Sequence, residues 1–167
     1  SREEIFAQII ADCERAASLL PVVAAAGSEG RATKGAALAL ASKTNLYAEN
    51  WSEVVSYVSR IKDLGVYALV EDYADNYGKF TQNNSESVWE IQHTNLELGL
   101  GNFLNQWWAS RKIDGYGFAE VTPSFVAAFE EGDPRLPITV AMRGDEYFDR
   151  IYTNSFSSTK YSVRKYI

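Results

Sequence analysis

The segment from Gly30 to Gly65 constrains the fold most, because it has the pattern of two helices joined by a tight turn. Thr33 precedes the first of these helices and is a typical N-cap residue. Small or apolar residues then recur close to the 3.6-residue helical period: Ala36, Ala37, Leu40, Thr44 and Tyr47. These positions predict an amphipathic helix that a partner helix can approach closely.

The second half of this segment has a stronger apolar stripe. Asn50 followed by Glu53 has the spacing of a helix-capping pair, and Gly65 is a typical C-terminal stop. One side of the helix carries large apolar groups: Trp51, Val54, Val55, Val58, Ile61 and Leu64. We therefore expect Trp51 in the core, packed against the alanines of the preceding helix.

A further helix precedes this hairpin. Ser1 with Glu4 forms a capping pair, and Pro21 ends the helix. Its apolar stripe comprises Ile5, Phe6, Ile9, Ile10, Cys13, Ala17 and Leu20. Three helices with short connections predict an antiparallel bundle or a helical repeat array, and the hairpin is near the roughly 34-residue length of a tetratricopeptide unit.

The chain after Gly65 has weaker patterns. Residues 87–93 alternate in polarity, which predicts a short strand with Trp89 and Ile91 facing the core. Thr122-Pro123 has the pattern of a helix start, with Phe125, Val126 and Phe129 predicted to face inward. Residues 138–142 and 161–166 are further strand candidates.

Charge and composition exclude several classes of function. The net charge of −6 and the lack of a Lys/Arg cluster argue against a nucleic-acid partner. Cys13 is the only cysteine and His93 the only histidine, so neither a cysteine-based metal cluster nor a paired histidine site can form. No Gly-x-Ser-x-Gly motif occurs. We therefore predict no catalytic residues, no metal site and no cofactor.

A dense aromatic region lies between Thr94 and Glu120, where glycines interrupt every periodic pattern. We interpret this region as a long ordered loop of the kind that binds ligands. Carbohydrates pair with aromatic faces and with amide or guanidinium groups. The predicted ligand-binding residues are accordingly Asn105, Trp107, Trp108, Arg111 and Tyr116. Burial at a core edge is the alternative for the two tryptophans, because large aromatic residues are mostly buried.

Several motifs follow one another in an order that resembles the SusD/RagB family of outer-membrane nutrient-binding lipoproteins. They are Gly30–Ala37, Leu46-Tyr47 followed by Trp51, Gly65–Leu69, Glu86–Gln92, Phe129–Arg135 and the closing Lys165-Tyr166. The resemblance spans nearly the whole chain but only the central part of such a protein. It implies that a lipid-anchored N-terminal segment and a C-terminal portion lie outside the sequence.

The resemblance implies a mainly α fold, with tetratricopeptide-like helical repeats (an α-α superhelix), long loops and a few short strands. We expect a single domain over residues 1–167, with a helical scaffold over 1–80 and a loop-rich, ligand-facing part over 81–167. The implied function is non-catalytic: capture of a glycan or other nutrient at the cell surface, and its transfer to a TonB-dependent, SusC-like outer-membrane transporter. Membrane attachment is expected only through the lipid anchor.

Two alternatives stay open at this point. One is a tetratricopeptide-like module that binds only another protein. The other is a glycoside hydrolase, which needs two carboxylates across a sugar. The acidic residues near the aromatic region that could serve are Glu86, Glu90, Glu97 and Asp114.

Overall fold

The computed structural model describes residues 1–94, 96 and 99–166, so Glu97 lies outside the described residues. The chain divides into two compact units. Unit 1 comprises Ser1–Glu71 and Lys79–Gln92, and unit 2 comprises Asp72–Gly78 and His93–Ile167. Within the described ranges, none of the helices combines the length and the apolar character that crossing a membrane requires. The expected division between residues 1–80 and 81–167 stays a prediction.

Unit 1 is built from three helices: α1 (Arg2–Leu19), α2 (Lys34–Tyr47) and α3 (Trp51–Lys62). Helix α2 packs against both α1 and α3. The Ser1 hydroxyl accepts a hydrogen bond from the Glu4 amide, and the Glu4 carboxylate accepts one from the Ser1 amino group, which completes a capping box. The Thr33 hydroxyl caps α2 by accepting from the Ala36 amide at 3.3 Å. The predicted helices, both of these caps and the mainly helical fold are confirmed.

The core of unit 1 consists of small residues and one tyrosine: Cys13, Ala17, Ala37, Leu38, Ala41 and Tyr57. The prediction that Leu40 and Tyr47 belong to the buried face of α2 was wrong, because both are exposed. Helix α2 contacts a helix on each side, so its buried arc includes Leu38 and Ala41 instead. Close packing around alanines lets the three helices approach one another.

Helix α3 has a different buried face from the predicted one. Trp51 is 60% exposed, and Val55 and Val58 are also exposed, whereas Tyr57 is buried. The predicted side-chain cap from Asn50 is absent. The side-chain amide of Asn50 instead donates to Asn45 Oδ1 at 3.1 Å, because the tight turn brings the two side chains together.

A polar group fixes Tyr57 and thereby the orientation of α3. The Tyr57 hydroxyl donates to Glu14 Oε1 at 2.7 Å, and Arg60 Nη2 donates to Glu14 Oε2 at 2.9 Å. The hydrogen bond from Arg60 is the main cause that lowers the pKa of Glu14 from 4.5 to about 2. Burial, together with the Glu14 carboxylate, raises the pKa of Tyr57 to about 12. The apolar stripe of α3 did not indicate this link to α1.

Residues 87–92 do not form the predicted strand. Side chains hold the segment instead: Glu86 Oε2 accepts from the Val70 amide at 3.1 Å, and Glu90 Oε1 accepts from the Asn83 amide at 2.8 Å. The core positions predicted for Trp89 and Ile91 were wrong, since both side chains are exposed. The Trp89 indole N–H donates to the Gly30 carbonyl at 3.0 Å, a polar contact that keeps the ring at the surface.

Unit 2 consists of short elements joined by ordered loops. Its helices are α4 (Leu104–Trp108), α5 (Pro123–Val126) and α6 (Leu136–Thr139), with 3₁₀ turns at Tyr73–Asn76 and Arg111–Ile113. Its strands are β1 (Val140–Ala141), β2 (Glu146–Tyr147), β3 (Arg150–Ile151) and β4 (Ser162–Val163). Strand β1 pairs antiparallel with β4, and β2 pairs antiparallel with β3. The few short strands that were predicted are thus present.

Helices α5 and α6 confirm one sequence prediction and correct two others. Thr122 caps α5 as expected, its hydroxyl accepting from the Phe125 amide at 3.2 Å. The inward orientation predicted for Phe125 was wrong, because its ring is exposed and packs edge-on against Phe129. The first half of the strand predicted over 138–142 belongs to α6, where Pro137 fits the first turn of a helix.

The core of unit 2 is aromatic. Tyr147 and Tyr152 are fully buried with Ala141, and Ile113 and Phe156 pack against them. The ring centroid of Tyr147 lies 5.1 Å from that of Tyr152 and 5.8 Å from that of Phe156. Burial raises the pKa of both tyrosines, so their hydroxyls stay neutral. The Tyr152 hydroxyl lies 2.8 Å from Ser162 Oγ, which gives this buried polar group a partner.

Candidate functional site

The aromatic region forms a closed loop within unit 2, which we call the aromatic loop (residues 102–120). Helix α4 opens it, and the chain then returns beside that helix. Three backbone hydrogen bonds of 2.9 Å hold the return: Tyr116 N–H to Gln106, Gly117 N–H to Ala109, and Phe118 N–H to Trp107. The loop is therefore ordered by its own backbone, as the sequence predicted, although it contains a helix and a 3₁₀ turn.

Gly115 makes this closure possible. A Cβ atom at this position would lie 2.1 Å from the Ala109 carbonyl oxygen, far inside contact distance. The reversal itself uses left-handed backbone at Asp114 (φ 64°) and Gly117 (φ 62°). No other residue type can take the place of Gly115 without moving the return segment away from α4.

Ser110 joins the aromatic loop to the tyrosine core. Its hydroxyl donates to the Phe156 carbonyl, and its amide donates to the Tyr147 hydroxyl at 3.3 Å. Ser110 and Ala109 are both buried. The loop consequently has a rigid base, while the residues on either side of this anchor reach the surface.

Three of the predicted ligand-binding residues lie together on the two sides of this loop. Trp107 is 45% exposed and Tyr116 is 46% exposed. The Tyr116 ring packs against Phe118 at 5.7 Å between centroids, and the Arg111 Nε donates to the Tyr116 carbonyl at 3.0 Å. Aromatic faces and a guanidinium group therefore share one locked loop. Phe118 was not among the predicted ligand-binding residues, although its position two residues after Tyr116 indicates that the two rings can lie on the same side of an extended segment.

The two other predicted residues are placed differently. Asn105 is exposed on α4, and its Oδ1 accepts from the Gln106 amide at 2.8 Å. Trp108 is half-buried and stacks on Tyr166 at 6.5 Å between centroids. Within the described part of the chain, the buried Nε1 of Trp108 has no hydrogen-bond partner. Trp108 is thus more buried than Trp107 and packs on Tyr166.

A cluster of tyrosines and one lysine adjoins Trp108 through Tyr166. The Lys165 ammonium lies 4.3 Å from the ring centroid of Tyr77 and 5.5 Å from that of Tyr73. Hydrogen bonding to Lys165 is the main cause that lowers the pKa of Tyr73, while burial raises the pKa of Tyr77. These tyrosines pack within unit 2, the role that the sequence favoured for them over ligand contact.

Several acidic side chains among the described residues accept structural hydrogen bonds. Glu86 and Glu90 accept from backbone amides, and Asp133 binds Arg135 in a local pair whose Nη2–Oδ2 distance is 2.6 Å. His93 Nδ1 lies 3.3 Å from the Leu100 carbonyl oxygen. Among the described residues, no group of three or more histidine, cysteine, aspartate or glutamate side chains could hold a metal ion.

Comparison with known proteins identifies the fold. No family model and no curated protein matches this chain. A SusD superfamily protein from Bacteroides vulgatus matches 99% of the chain at 28% identity with a TM-score of 0.82, and the match covers 38% of that protein. The chain therefore has a SusD-like fold. The resemblance that the sequence motifs indicated is therefore confirmed.

Two further SusD-like structures support this assignment of fold. A SusD-like carbohydrate-binding protein from Bacteroides fragilis matches 100% of the chain at 24% identity, with a TM-score of 0.83 and 40% of that protein covered. Surface glycan-binding protein A from Bacteroides thetaiotaomicron, in complex with laminarihexaose, matches 98% at 20% identity, with a TM-score of 0.80 and 42% covered. The chain spans about two fifths of the length of these structures.

Proposed function

We propose that this SusD-like chain contributes the aromatic loop of a non-catalytic glycan-binding protein. The observation that carries the proposal is the pair of half-exposed aromatic rings, Trp107 and Tyr116, on a loop closed by backbone hydrogen bonds. A sugar ring presents a flat patch of C–H groups, which packs well against an aromatic face. Because the loop is fixed before ligand binds, little conformational entropy is lost on binding.

Polar groups beside the rings give the site its hydrogen-bonding capacity. The Arg111 side chain is held at the Tyr116 carbonyl through its Nε, which leaves the guanidinium Nη groups as donors. Asn105 is exposed on α4 and offers an amide. Trp108, at the end of α4, is fixed by its stacking on Tyr166.

The names of solved relatives suggest a class of glycan for the first trial. One structural neighbour is in complex with laminarihexaose, and another, 22% identical with a TM-score of 0.82, is a laminarin-binding SusD-like protein. A neutral glucose oligosaccharide is therefore the first ligand to test. A larger glycan that needs more contacts than this chain supplies would bind more weakly here than to a longer protein.

The proposed site can be tested by calorimetric titration with laminarihexaose. We expect Trp107→Ala to weaken binding at least fivefold, because the comparable stacking of a flat nucleobase on an aromatic ring contributes about 1–3 kcal/mol. Trp51→Ala is the matched control, since Trp51 is also a half-exposed tryptophan but lies on α3 in unit 1. If no neutral or acidic oligosaccharide in a broad panel binds the chain, the proposal is wrong.

The family resemblance adds a cellular role to this proposal. The binding protein would lie at the cell surface, attached to the outer membrane by a lipid anchor, and would transfer its glycan to a SusC-like, TonB-dependent transporter. No step of this role requires catalysis.

One observation favours the second candidate, a tetratricopeptide-like module for protein partners. Helix α3 exposes Trp51, Val55 and Val58 on one apolar face. Replacing Trp51 and Val55 by serine should weaken co-purification with a SusC-like transporter and leave glycan binding unchanged. Trp107→Ala should have the opposite effects. Transporter binding without any glycan binding would favour the interaction module over a glycan-binding protein.

A further inference from the structure

Unit 1 contains a groove of its own, which sequence reasoning did not anticipate. Its volume is 240 Å³, and its walls come from the loop between α1 and α2, the segment after α3 and residues 83–90. The side chains that matter for its chemistry are Glu29, Arg31, Tyr67, Asn83, Trp89 and Glu90. We call it the Trp89 groove.

Trp89 forms an aromatic wall with a fixed orientation. The indole is 55% exposed, while its N–H donates to the Gly30 carbonyl at 3.0 Å. This hydrogen bond satisfies the polar atom of the ring and limits its rotation. The open part of the ring is then an apolar platform at a defined place, not a mobile surface side chain.

A network of amides and a carboxylate fixes the polar wall. The side chains of Asn83 and Gln92 exchange two hydrogen bonds of 3.0 Å. The backbone N–H of Asn83 donates to Glu90 Oε1 at 2.8 Å. The Glu90 carboxylate has further lone pairs that can accept from a ligand hydroxyl. Acceptors in this wall are thus positioned before any ligand arrives.

Tyr67 is held at another wall by its hydroxyl. Its oxygen lies 3.3 Å from Thr33 Oγ1, the group that caps α2. Gly35 makes room for the ring, because a Cβ atom there would lie 2.1 Å from the Tyr67 hydroxyl oxygen. Tyr67, Trp89 and the N-cap of α2 therefore form fixed walls of the groove.

The charges in the groove select against anions. Two carboxylates, Glu29 and Glu90, and one guanidinium, Arg31, line it, which gives a net charge of −1. A hydrogen bond from the Gly27 amide is the main cause that lowers the pKa of Glu29, so this group stays charged at neutral pH. A ligand with its own carboxylate or sulfate would be repelled, whereas a neutral polyol can donate hydroxyls to both carboxylates.

From these observations we propose that the Trp89 groove binds one neutral sugar ring, independently of the aromatic loop. The ring packs its C–H face on Trp89, donates to Glu90, and accepts from Arg31. The volume is below the roughly 300 Å³ at which pockets for drug-sized ligands begin, so a single ring fits better than a chain. Such a groove would hold the end or a branch of a glycan by a second contact, which raises overall avidity.

The experiment follows the four indole N–H signals of the chain by ¹⁵N-resolved NMR, each assigned by a Trp→Phe variant. Methyl glucoside and laminarihexaose are titrated separately. We expect the Trp89 signal to shift with both sugars, and we expect Arg31→Gln to raise the dissociation constant at this signal about tenfold, the loss of a charged hydrogen bond. Trp51 serves as the control signal, because it is comparably exposed and lies outside the groove.

The variants separate this proposal from the function proposed for the aromatic loop. Trp107→Ala should leave the Trp89 shift unchanged, whether or not the aromatic loop binds sugar. Methyl glucuronide, the acidic counterpart of methyl glucoside, should shift the Trp89 signal less at equal concentration. The proposal is overturned if neither neutral sugar moves the Trp89 signal, if Arg31→Gln leaves its dissociation constant unchanged, or if the acidic sugar binds more tightly.

Discussion

Unit 1 and unit 2 reach an ordered structure by different means. The core of unit 1 is mostly small residues between three helices, whose backbone groups bond within each helix. The core of unit 2 is a pair of buried tyrosines, and its backbone groups bond across loops. Helices specify their own hydrogen bonds locally. The loop 102–120 bonds across itself and is also anchored through Ser110 to Tyr147 and Phe156, which lie 37 and 46 residues away in the sequence.

This difference explains where each unit can carry ligand chemistry. In unit 1 the Trp89 groove forms at the irregular segments next to α2. In unit 2 the closed loop itself presents Trp107 and Tyr116. Replacements that disturb the two kinds of core should therefore differ in size and in their effect on binding.

The largest effect is expected from removing the central tyrosine of unit 2. Tyr147→Ala should lower the free energy of unfolding by about 3–5 kcal/mol, because a fully buried aromatic ring is lost. Tyr147→Phe keeps the ring and loses only the acceptor for the Ser110 amide, so it should cost about 1 kcal/mol. Urea unfolding followed by tyrosine circular dichroism measures both. Equal losses for the two variants would show that the hydroxyl, not the aromatic packing, dominates.

A smaller but more specific effect is expected at the loop closure. Gly115→Ala should cost about 1–3 kcal/mol, since the new methyl group meets the Ala109 backbone oxygen at 2.1 Å. The same change should abolish binding of laminarihexaose, because Trp107 and Tyr116 would no longer be held together. Gly101→Ala is the control, as its Cβ would have only an ordinary contact of 3.8 Å. Unchanged binding in Gly115→Ala would contradict the role of the closed loop.

Gly35 is a closely packed glycine of unit 1, and we expect it to tolerate substitution by alanine better than Gly115 does. At Gly35 the new methyl group meets the Tyr67 hydroxyl and the ring carbons beside it, so Tyr67 must shift and lose its contact with Thr33. This cost is offset because alanine favours the helix by about 1 kcal/mol over glycine. We therefore expect Gly35→Ala to change the free energy of unfolding by less than about 1 kcal/mol. The Trp89 groove should nevertheless change, visible as a shifted indole signal. A loss larger than that of Gly115→Ala would reverse the comparison between the units.

An effect of similar, small size is expected for the ion pair that links α1 and α3. Glu14→Gln should cost about 0.5–1 kcal/mol at pH 7, a discounted figure because both partners are about two fifths exposed. Since the folded pKa of Glu14 is lowered from 4.5 to about 2, its contribution is present above pH 4.5 and is lost as the pH falls toward 2.

Urea unfolding at a series of pH values checks this linkage. The difference in stability between the natural chain and Glu14→Gln should shrink steadily between pH 5 and pH 2. High salt should reduce the same difference at pH 7, as expected for a partly exposed pair. A difference that is independent of pH would mean that the variant acts through packing instead of charge.

The sequence alone was sufficient for the local features of this protein. Ser1, Thr33 and Thr122 each cap the helix that their neighbours predicted, because a capping bond spans only three residues. The order of the motifs was also sufficient to indicate the SusD-like family. The aromatic content of residues 102–120 also predicted an ordered loop of the kind that binds ligands.

The tertiary structure decided which of the large side chains are buried. Periodicity places Trp51 on an apolar stripe and Trp89 on an alternating one, yet both are exposed, and Tyr57 is buried instead. The reason is that burial depends on partners distant in sequence: Tyr57 is held by Glu14 of α1, and Trp89 by the Gly30 carbonyl. A pattern of 3.6 or two residues records local geometry, while these contacts span 43 and 59 residues. Only folding brings such partners together.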